Sequence, residues 1–496
     1  MRFIIAFVLL LVPFSAQSGD RVALVIGMSD YQTVVKLDNT LNDARDISDT
    51  LEGIGFKVTT AFESSAAELR TLVDEFTFRA ETADLALIYY AGHGVEVQGE
   101  NFLIPVDADV KSNQDVQRQG ISLKQLLASV EHARKMRIVI LDSCRDNPFG
   151  DALDVAALEQ TAAAVETTRS MGSAGLAPPS PERGTLVAFA AKDGARALDG
   201  SGDNSPFAQA LMDNLVKPDL EISLMFRQVR DQVLKDTGNL QEPHTYGSLS
   251  GTPFYVAGSG SGSTTVSNTN RRVAWADLKA DQEIQLASLA DQGDTRSMLG
   301  LAYMRLNSVD KRYAPSEAAE YLERAAKAGS PEAQFELAQL LEKGLGVPQD
   351  LDRALELYKQ SADQGFADAL NDLGFIYFQG GLNITRDPVL GLDYFQAAAD
   401  QRHPQAMYNV AALIDDGVIP DRTLEDAAEY LYRALRSGSE DVYTILRDKP
   451  NTFTAPTRKA LQRKLNQYAF YDGTIDGDFG PGTQRSIRAA YGLTGE

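Results

Sequence analysis

Apolar residues in the first half of the chain come in short continuous runs separated by amphipathic stretches. Val22-Ala23-Leu24-Val25-Ile26-Gly27, Phe56-Lys57-Val58, Ala86-Leu87-Ile88-Tyr89-Tyr90, Arg137-Ile138-Val139-Ile140-Leu141 and Thr185-Leu186-Val187-Ala188-Phe189 each read as a strand. Runs of this length without polar alternation predict strands covered on both faces. Between them lie helical patterns over 64–79 and 122–135, and a helix capped by Asn42 or Asp43 that ends near Gly53 and Gly55. This alternation predicts an α/β domain with a mostly parallel sheet over 20–257. Ligands of such sheets bind beyond the carboxyl ends of the strands.

The pattern then changes twice. Residues 258–272 read GSGSGSTTVSNTNRR, a flexible linker without apolar periodicity. Residues 273–447 are Ala- and Leu-rich and repeat themselves. Leu289-Ala290-Asp291-Gln292-Gly293 recurs as Ala325-Ala326-Lys327-Ala328-Gly329, Ser361-Ala362-Asp363-Gln364-Gly365, Ala398-Ala399-Asp400-Gln401-Arg402 and Ala434-Leu435-Arg436-Ser437-Gly438, at spacings of 36, 36, 37 and 36. A fixed period of this size means a solenoid of helix pairs, whose stacked units offer a concave surface to a protein partner. Residues 452–496 form a small turn-rich tail.

Composition narrows the function. The 496 residues suggest about three domains. The formal charge of −22 excludes a general nucleic-acid binder, which needs clustered Lys and Arg on the phosphates. Met1-Arg2, the apolar run Phe3–Val12, Pro13 and the small residues around Ala16-Gln17-Ser18 read as a signal peptide over 1–18. The protein is therefore expected to be exported, to a periplasm or outside the cell. Cys144 is the only cysteine, so no intrachain disulfide supports the fold.

The third predicted strand runs into Ala91-Gly92-His93-Gly94 and the fourth into Asp142-Ser143-Cys144-Arg145. A thiol nucleophile needs a base close by, and histidine is the usual one near neutral pH. A lone buried cysteine is more often packing than chemistry, and a histidine in a Gly-flanked loop is often incidental. Their joint placement at strand ends reverses that expectation. His132, on a predicted helix, His244 and His403, in a repeat turn, are read as surface or packing residues.

These segments, together with Leu41-Asn42-Asp43-Ala44, Asn101-Phe102-Leu103-Ile104-Pro105 and Asp142 to Phe149, resemble the caspase-like cysteine peptidases, closest to the bacterial metacaspase-like members. The resemblance implies a caspase-hemoglobinase fold and hydrolysis of peptide bonds. It casts Cys144 as nucleophile and His93 as acid and base, with backbone N–H groups of Gly94 and Cys144 as the oxyanion hole. Asp43 and Asp142 match the positions of an acidic pocket, which implies cleavage after Arg or Lys. For Asp43 a helix cap is an equally good reading. The long connection 151–183 resembles a processing loop, with Arg169 and Arg183 as candidate self-cleavage points.

The repeats resemble Sel-one-like units, with Gly344-Leu345-Gly346-Val347-Pro348-Gln349-Asp350 as their loop. The tail, through Leu461-Gln462 and the run Tyr471 to Thr483, resembles a three-helix peptidoglycan-binding domain. It departs from that pattern at Ala490-Tyr491, where Phe-Gln is common. Asp476-Gly477-Asp478 lacks the twelve-residue ligand pattern of a calcium loop, so no metal or other cofactor is assigned. The expected architecture is an α/β caspase-hemoglobinase domain, an all-α repeat solenoid and a small three-helix domain. The competing readings are a non-catalytic envelope scaffold acting through the repeats, and a peptidoglycan hydrolase suggested by the tail alone.

Overall fold

The computed structural model describes residues 20–143, 184–192, 197–200, 202–247, 249, 251–258, 275, 278 and 280–493. The signal segment, Cys144, the connection with Arg169 and Arg183, and the linker 259–272 lie outside them.

In the first domain the chain forms β1 (Arg21–Gly27), α1 (Thr40–Gly53), β2 (Lys57–Phe62), α2 (Ala66–Ala80) and β3 (Leu85–Ala91). A small sheet follows, made of β4 (Gly94–Val97), β5 (Glu100–Leu103) and β6 (Ile121–Ser122), with α3 (Asn113–Gln119) between the last two. Next come α4 (Leu123–Val130), β7 (Met136–Asp142), β8 (Thr185–Phe189), α5 (Pro206–Leu215), α6 (Ile222–Asp236) and β9 (His244–Gly247). The main sheet has the order β2-β1-β3-β7-β8-β9. Its first five strands are parallel, and β9 closes the edge antiparallel to β8.

Strands β3 and β8 are buried at every position, and β1 and β7 at six of seven, which is why their sequences carry continuous apolar runs. Alternate residues feed opposite cores. Ile26, Ile88 and Val139 pack with Phe76 of α2 and Leu126 of α4. Ala23, Leu87 and Ile138 pack with Ile47 of α1, Phe207 of α5 and Phe226 of α6.

Two local expectations are corrected. Helix α1 starts at Thr40 with Asn39 as its cap residue, so neither Asn42 nor Asp43 caps it. Asn39 instead spends its amide on the carbonyls of Asp199 and Gly202, 2.7 and 3.2 Å away. Helix α4 stops at Val130, short of the predicted 135, so His132 sits in the turn before β7. There it is half-buried, and burial together with Arg402, Arg137 and Arg433 pushes its pKa down to about 4. It is not a surface residue.

The second half is helical. After α7 (Ala280–Asp291), antiparallel pairs follow in sequence: α8 (Thr295–Leu306) with α9 (Pro315–Lys327), α10 (Pro331–Lys343) with α11 (Leu351–Asp363), α12 (Ala367–Gln379) with α13 (Pro388–Asp400), and α14 (Pro404–Asp415) with α15 (Leu424–Arg436). The turn closing each unit needs a left-handed residue. Gly293, Gly329, Gly365 and Gly438 supply it at φ of 75° to 96°, and Arg402 fills the same place at φ 57°. Helix α16 (Glu440–Asp448) leads to the tail helices α17 (Ala455–Gln467) and α18 (Pro481–Tyr491).

The repeat arm packs against the amino ends of the parallel strands. Arg296 at the start of α8 pairs with the fully buried Glu221 at 2.7 Å. Gly251 donates its N–H to Glu332 of α10 at 2.9 Å, and the buried Trp275 indole donates to the Gly251 carbonyl at 2.5 Å. No described helix is long and apolar enough to cross a membrane.

Candidate active site

The register of the central strands sets the site. Ala91, the last residue of β3, lies opposite Asp142, the last residue of β7, and the Gly92 N–H donates to the Asp142 carbonyl at 3.3 Å. His93 follows at once. Its backbone N–H donates to the Tyr31 hydroxyl at 2.8 Å, and its carbonyl accepts from the Tyr90 hydroxyl at 2.6 Å and from Ile104 N–H at 3.1 Å. A Cβ on Gly92 would fall 2.6 Å from both the Tyr31 and Tyr90 hydroxyls, so only glycine lets these two rings close on the loop.

The imidazole is oriented as well as held. Its ring packs on Tyr31 with centroids 4.6 Å apart, and Nε2 lies 2.8 Å from the Val35 carbonyl. A carbonyl only accepts, so Nε2 carries the proton and Nδ1 keeps its lone pair. Among the described residues the buried Nδ1 has no partner. Burial lowers the pKa of His93 below the usual histidine value, which favours the neutral, basic form.

At the same end of the sheet is a pair of carboxylates. Asp43 projects from the first turn of α1 and Asp142 from the end of β7, and both are buried. Ser205 joins them. Its backbone N–H donates to Asp43 Oδ1 at 2.9 Å, its hydroxyl donates to Asp142 Oδ2 at 2.8 Å, and its Oγ accepts the Ala208 N–H at 3.0 Å as the cap of α5. The Tyr89 hydroxyl also donates to Asp142 Oδ2, at 3.0 Å. Burial pushes Asp43 up to about 6. Burial first, and the charge of Asp43 second, push Asp142 up to about 7. Two such carboxylates share protons near neutrality unless a cation enters.

The structure thus brings His93, Gly94, Asp43 and Asp142 to one end of the sheet, while Cys144 lies outside the described residues. Four contributors were not foreseen, nor was the bridging role of the helix cap Ser205. Tyr31, Tyr89 and Val35 act on atoms distant in sequence, and Val35 acts through its carbonyl, which no side-chain pattern betrays. Asp199, at the rim, adds negative charge that raises both buried carboxylates and feels His93 in turn. Ser205 had a signal, since Ser-Pro before an apolar helix marks a cap, but its bridging role needs the fold. Of the other histidines, His244 is exposed on β9, and His403 caps α14 while its Nε2 lies 3.2 Å from Asp368.

Three known family models match the chain. Residues 20–255 match the caspase domain, 295–330, 331–366, 367–403 and 404–439 match Sel1 repeats, and 454–490 match a peptidoglycan binding domain. The human mucosa-associated lymphoid tissue lymphoma translocation protein 1 is 32% identical over 138 residues, 27% of this chain and 16% of that protein. A paracaspase of Dictyostelium discoideum is 30% identical over 135 residues, 26% of this chain and 32% of that protein. The chain therefore aligns with less than a third to a sixth of these relatives' length. A crystal structure of a Sel1 repeat protein from Oxalobacter formigenes is similar at 25% identity, covering 38% of this chain and 58% of that one, with a TM-score of 0.31. The chain carries a caspase domain, four Sel1 repeats and a peptidoglycan-binding domain.

Proposed function

We propose that this protein is an exported cysteine endopeptidase that cuts after Arg or Lys, using Cys144 and His93. The observation that carries the reading is the oriented His93, its Nε2 engaged by Val35 and its Nδ1 without a described partner, at the same end of the sheet as two buried carboxylates. Cys144 stands two residues beyond Asp142 as His93 stands two beyond Ala91, and Ala91 and Asp142 are register partners.

Nδ1 of His93 takes the Cys144 proton, and the thiolate attacks the scissile carbonyl carbon. The oxygen of the tetrahedral intermediate is received by the N–H groups of Gly94 and Cys144. Collapse expels the amine, which leaves with the proton from His93, and a thioester remains. Water, deprotonated by His93, then releases the acid and restores the thiol. Asp43 and Asp142, with Asp199 at the rim, receive the basic side chain before the cut. Charge-assisted hydrogen bonds of about 1.5–3 kcal/mol each select a cation over a neutral residue. The Sel1 repeats bind a protein partner, and the tail contacts peptidoglycan in the periplasm or outside the cell.

The test is cleavage of fluorogenic peptides ending in Arg, Lys or Asp by the mature chain and by Cys144→Ala, with and without calcium. Thiol-dependent cleavage after Arg or Lys is expected. Cleavage only after Asp refutes the acidic pocket, and no thiol-dependent cleavage under any condition refutes the peptidase.

A further inference from the structure

Two arginines tie the tail to the peptidase domain. Arg436, at the end of α15 and only 5% exposed, reaches both ways. Toward the peptidase domain its Nε donates to Glu81 at 3.0 Å and its Nη2 to the Phe78 carbonyl at 3.2 Å, just past and within the end of α2. Toward the tail its Nη1 donates to the Ala490 carbonyl at 3.4 Å. Its guanidinium also lies between two rings, 4.8 Å from Phe78 and 5.5 Å from Phe470.

Arg134, in the turn before β7, answers from the other side. Its Nε donates to the Arg436 carbonyl at 3.1 Å, it donates to the Tyr491 carbonyl, and it covers the Tyr491 ring at 5.2 Å. Both cations meet the carboxyl end of α18, where unpaired carbonyls and the helix dipole favour positive charge. The fit leaves no slack. A Cβ on Gly438 would lie 2.8 Å from Arg134 Nε, and one on Gly492 would lie 3.2 Å from the Thr82 Cβ.

The carbonyls used are those of Ala490 and Tyr491, the positions at which the tail departs from its family's pattern. We propose that the carboxyl end of α18 is a docking surface whose partner is the chain's own peptidase domain. The tail is then a built-in part of the peptidase and not a module on a tether. The Asp472–Asp478 turn, exposed at Asp472, Thr474, Asp476 and Asp478, precedes the amino end of the same helix. Eleven residues of helix put it about 16 Å from the docked end.

This inference does not rest on the catalytic reading, and its test uses no substrate. Thr82→Cys and Gly492→Cys are introduced together in the full chain with Cys144→Ser, and the protein is oxidised with glutathione disulfide. Disulfides need Cβ atoms about 3.5–4.5 Å apart, so a docked tail gives an intrachain link at micromolar protein. Adding Arg134→Ala should slow its formation at least about tenfold. Because Gly492 has φ 98°, hydrogen exchange on the otherwise native chain is the second measurement. The end of α2 and the end of α18 should exchange faster in Arg134→Ala than in the parent. No intrachain link together with unchanged exchange overturns the proposal, as does a link whose rate ignores Arg134.

Discussion

Replacing Asp142 by Asn puts the acid pair to the sharpest test, because it should stabilise the protein while removing its preference. Asp142 rises from 3.8 to about 7 in the folded chain and Asp43 to about 6. A folded-state pKa above the unfolded one means that the fold prefers the protonated acid. The associated stability is complete below about pH 4 and is lost as pH rises through about 7. At about 1.4 kcal/mol per unit, ionising the coupled pair above that point costs the fold a few kcal/mol. An Asn keeps the acceptor used by Ser205 and Tyr89 but adds an amide N–H with no assured partner, a loss of about 1–3 kcal/mol. The expected net gain near pH 8 is about 2 kcal/mol, and near pH 4 it should vanish or reverse. Urea unfolding at the two pH values reads this directly.

The same charges set substrate binding. An Arg peptide binds the ionised pair, so its KM should fall about tenfold per unit between about pH 6 and 7, more steeply below about 6, and level off above about 7. A citrulline peptide of the same shape should show no such slope, and Asp142→Asn with the Arg peptide should keep only the part below about pH 6 that Asp43 sets. A KM for the Arg peptide that is flat across this window would refute the reasoning. So would an Asn variant less stable than wild type near pH 8.

Three further outcomes follow from the packing. Tyr31→Phe removes the hydroxyl that accepts the His93 N–H at 2.8 Å, and should lower kcat about tenfold with KM nearly unchanged for the Arg peptide. Gly92→Ala forces a methyl to within 2.6 Å of the Tyr31 and Tyr90 hydroxyls, and should destabilise by about 1–3 kcal/mol in urea and abolish cleavage. Arg296→Ala strands the fully buried Glu221, and should cost about 3–5 kcal/mol in the unfolding transition that includes the first repeat. Adding Glu221→Gln should return most of that loss, because the charge is gone.

Sequence legibility followed the range of the interaction. Continuous runs such as Leu85–Ala91 announce buried strands because both faces are covered, and the 36-residue period announces the solenoid because each unit repeats one packing problem. The short sheet of β4, β5 and β6 was missed. Its strands are two to four residues long, and their signal is mainly the Gln98-Gly99 turn, where both residues have positive φ. Edge strand β9 was missed for a related reason: it is only four residues long and three of them are exposed. For Asp43 local propensity pointed equally to a cap. The structure excludes the cap, because the helix begins three residues earlier and the Ser205 N–H, 162 residues away, donates to the buried carboxylate.

The seven-residue strands β3 and β7 carry His93 and Asp142 at one end, while the turns before them meet the repeats and the tail. At about 3.3 Å per residue the two ends stand roughly 23 Å apart. A peptidase of the proposed kind, held through its tail, would cut at a stand-off. Its reach would favour loops and stalks that project from a surface, and would spare proteins lying flat against the same support.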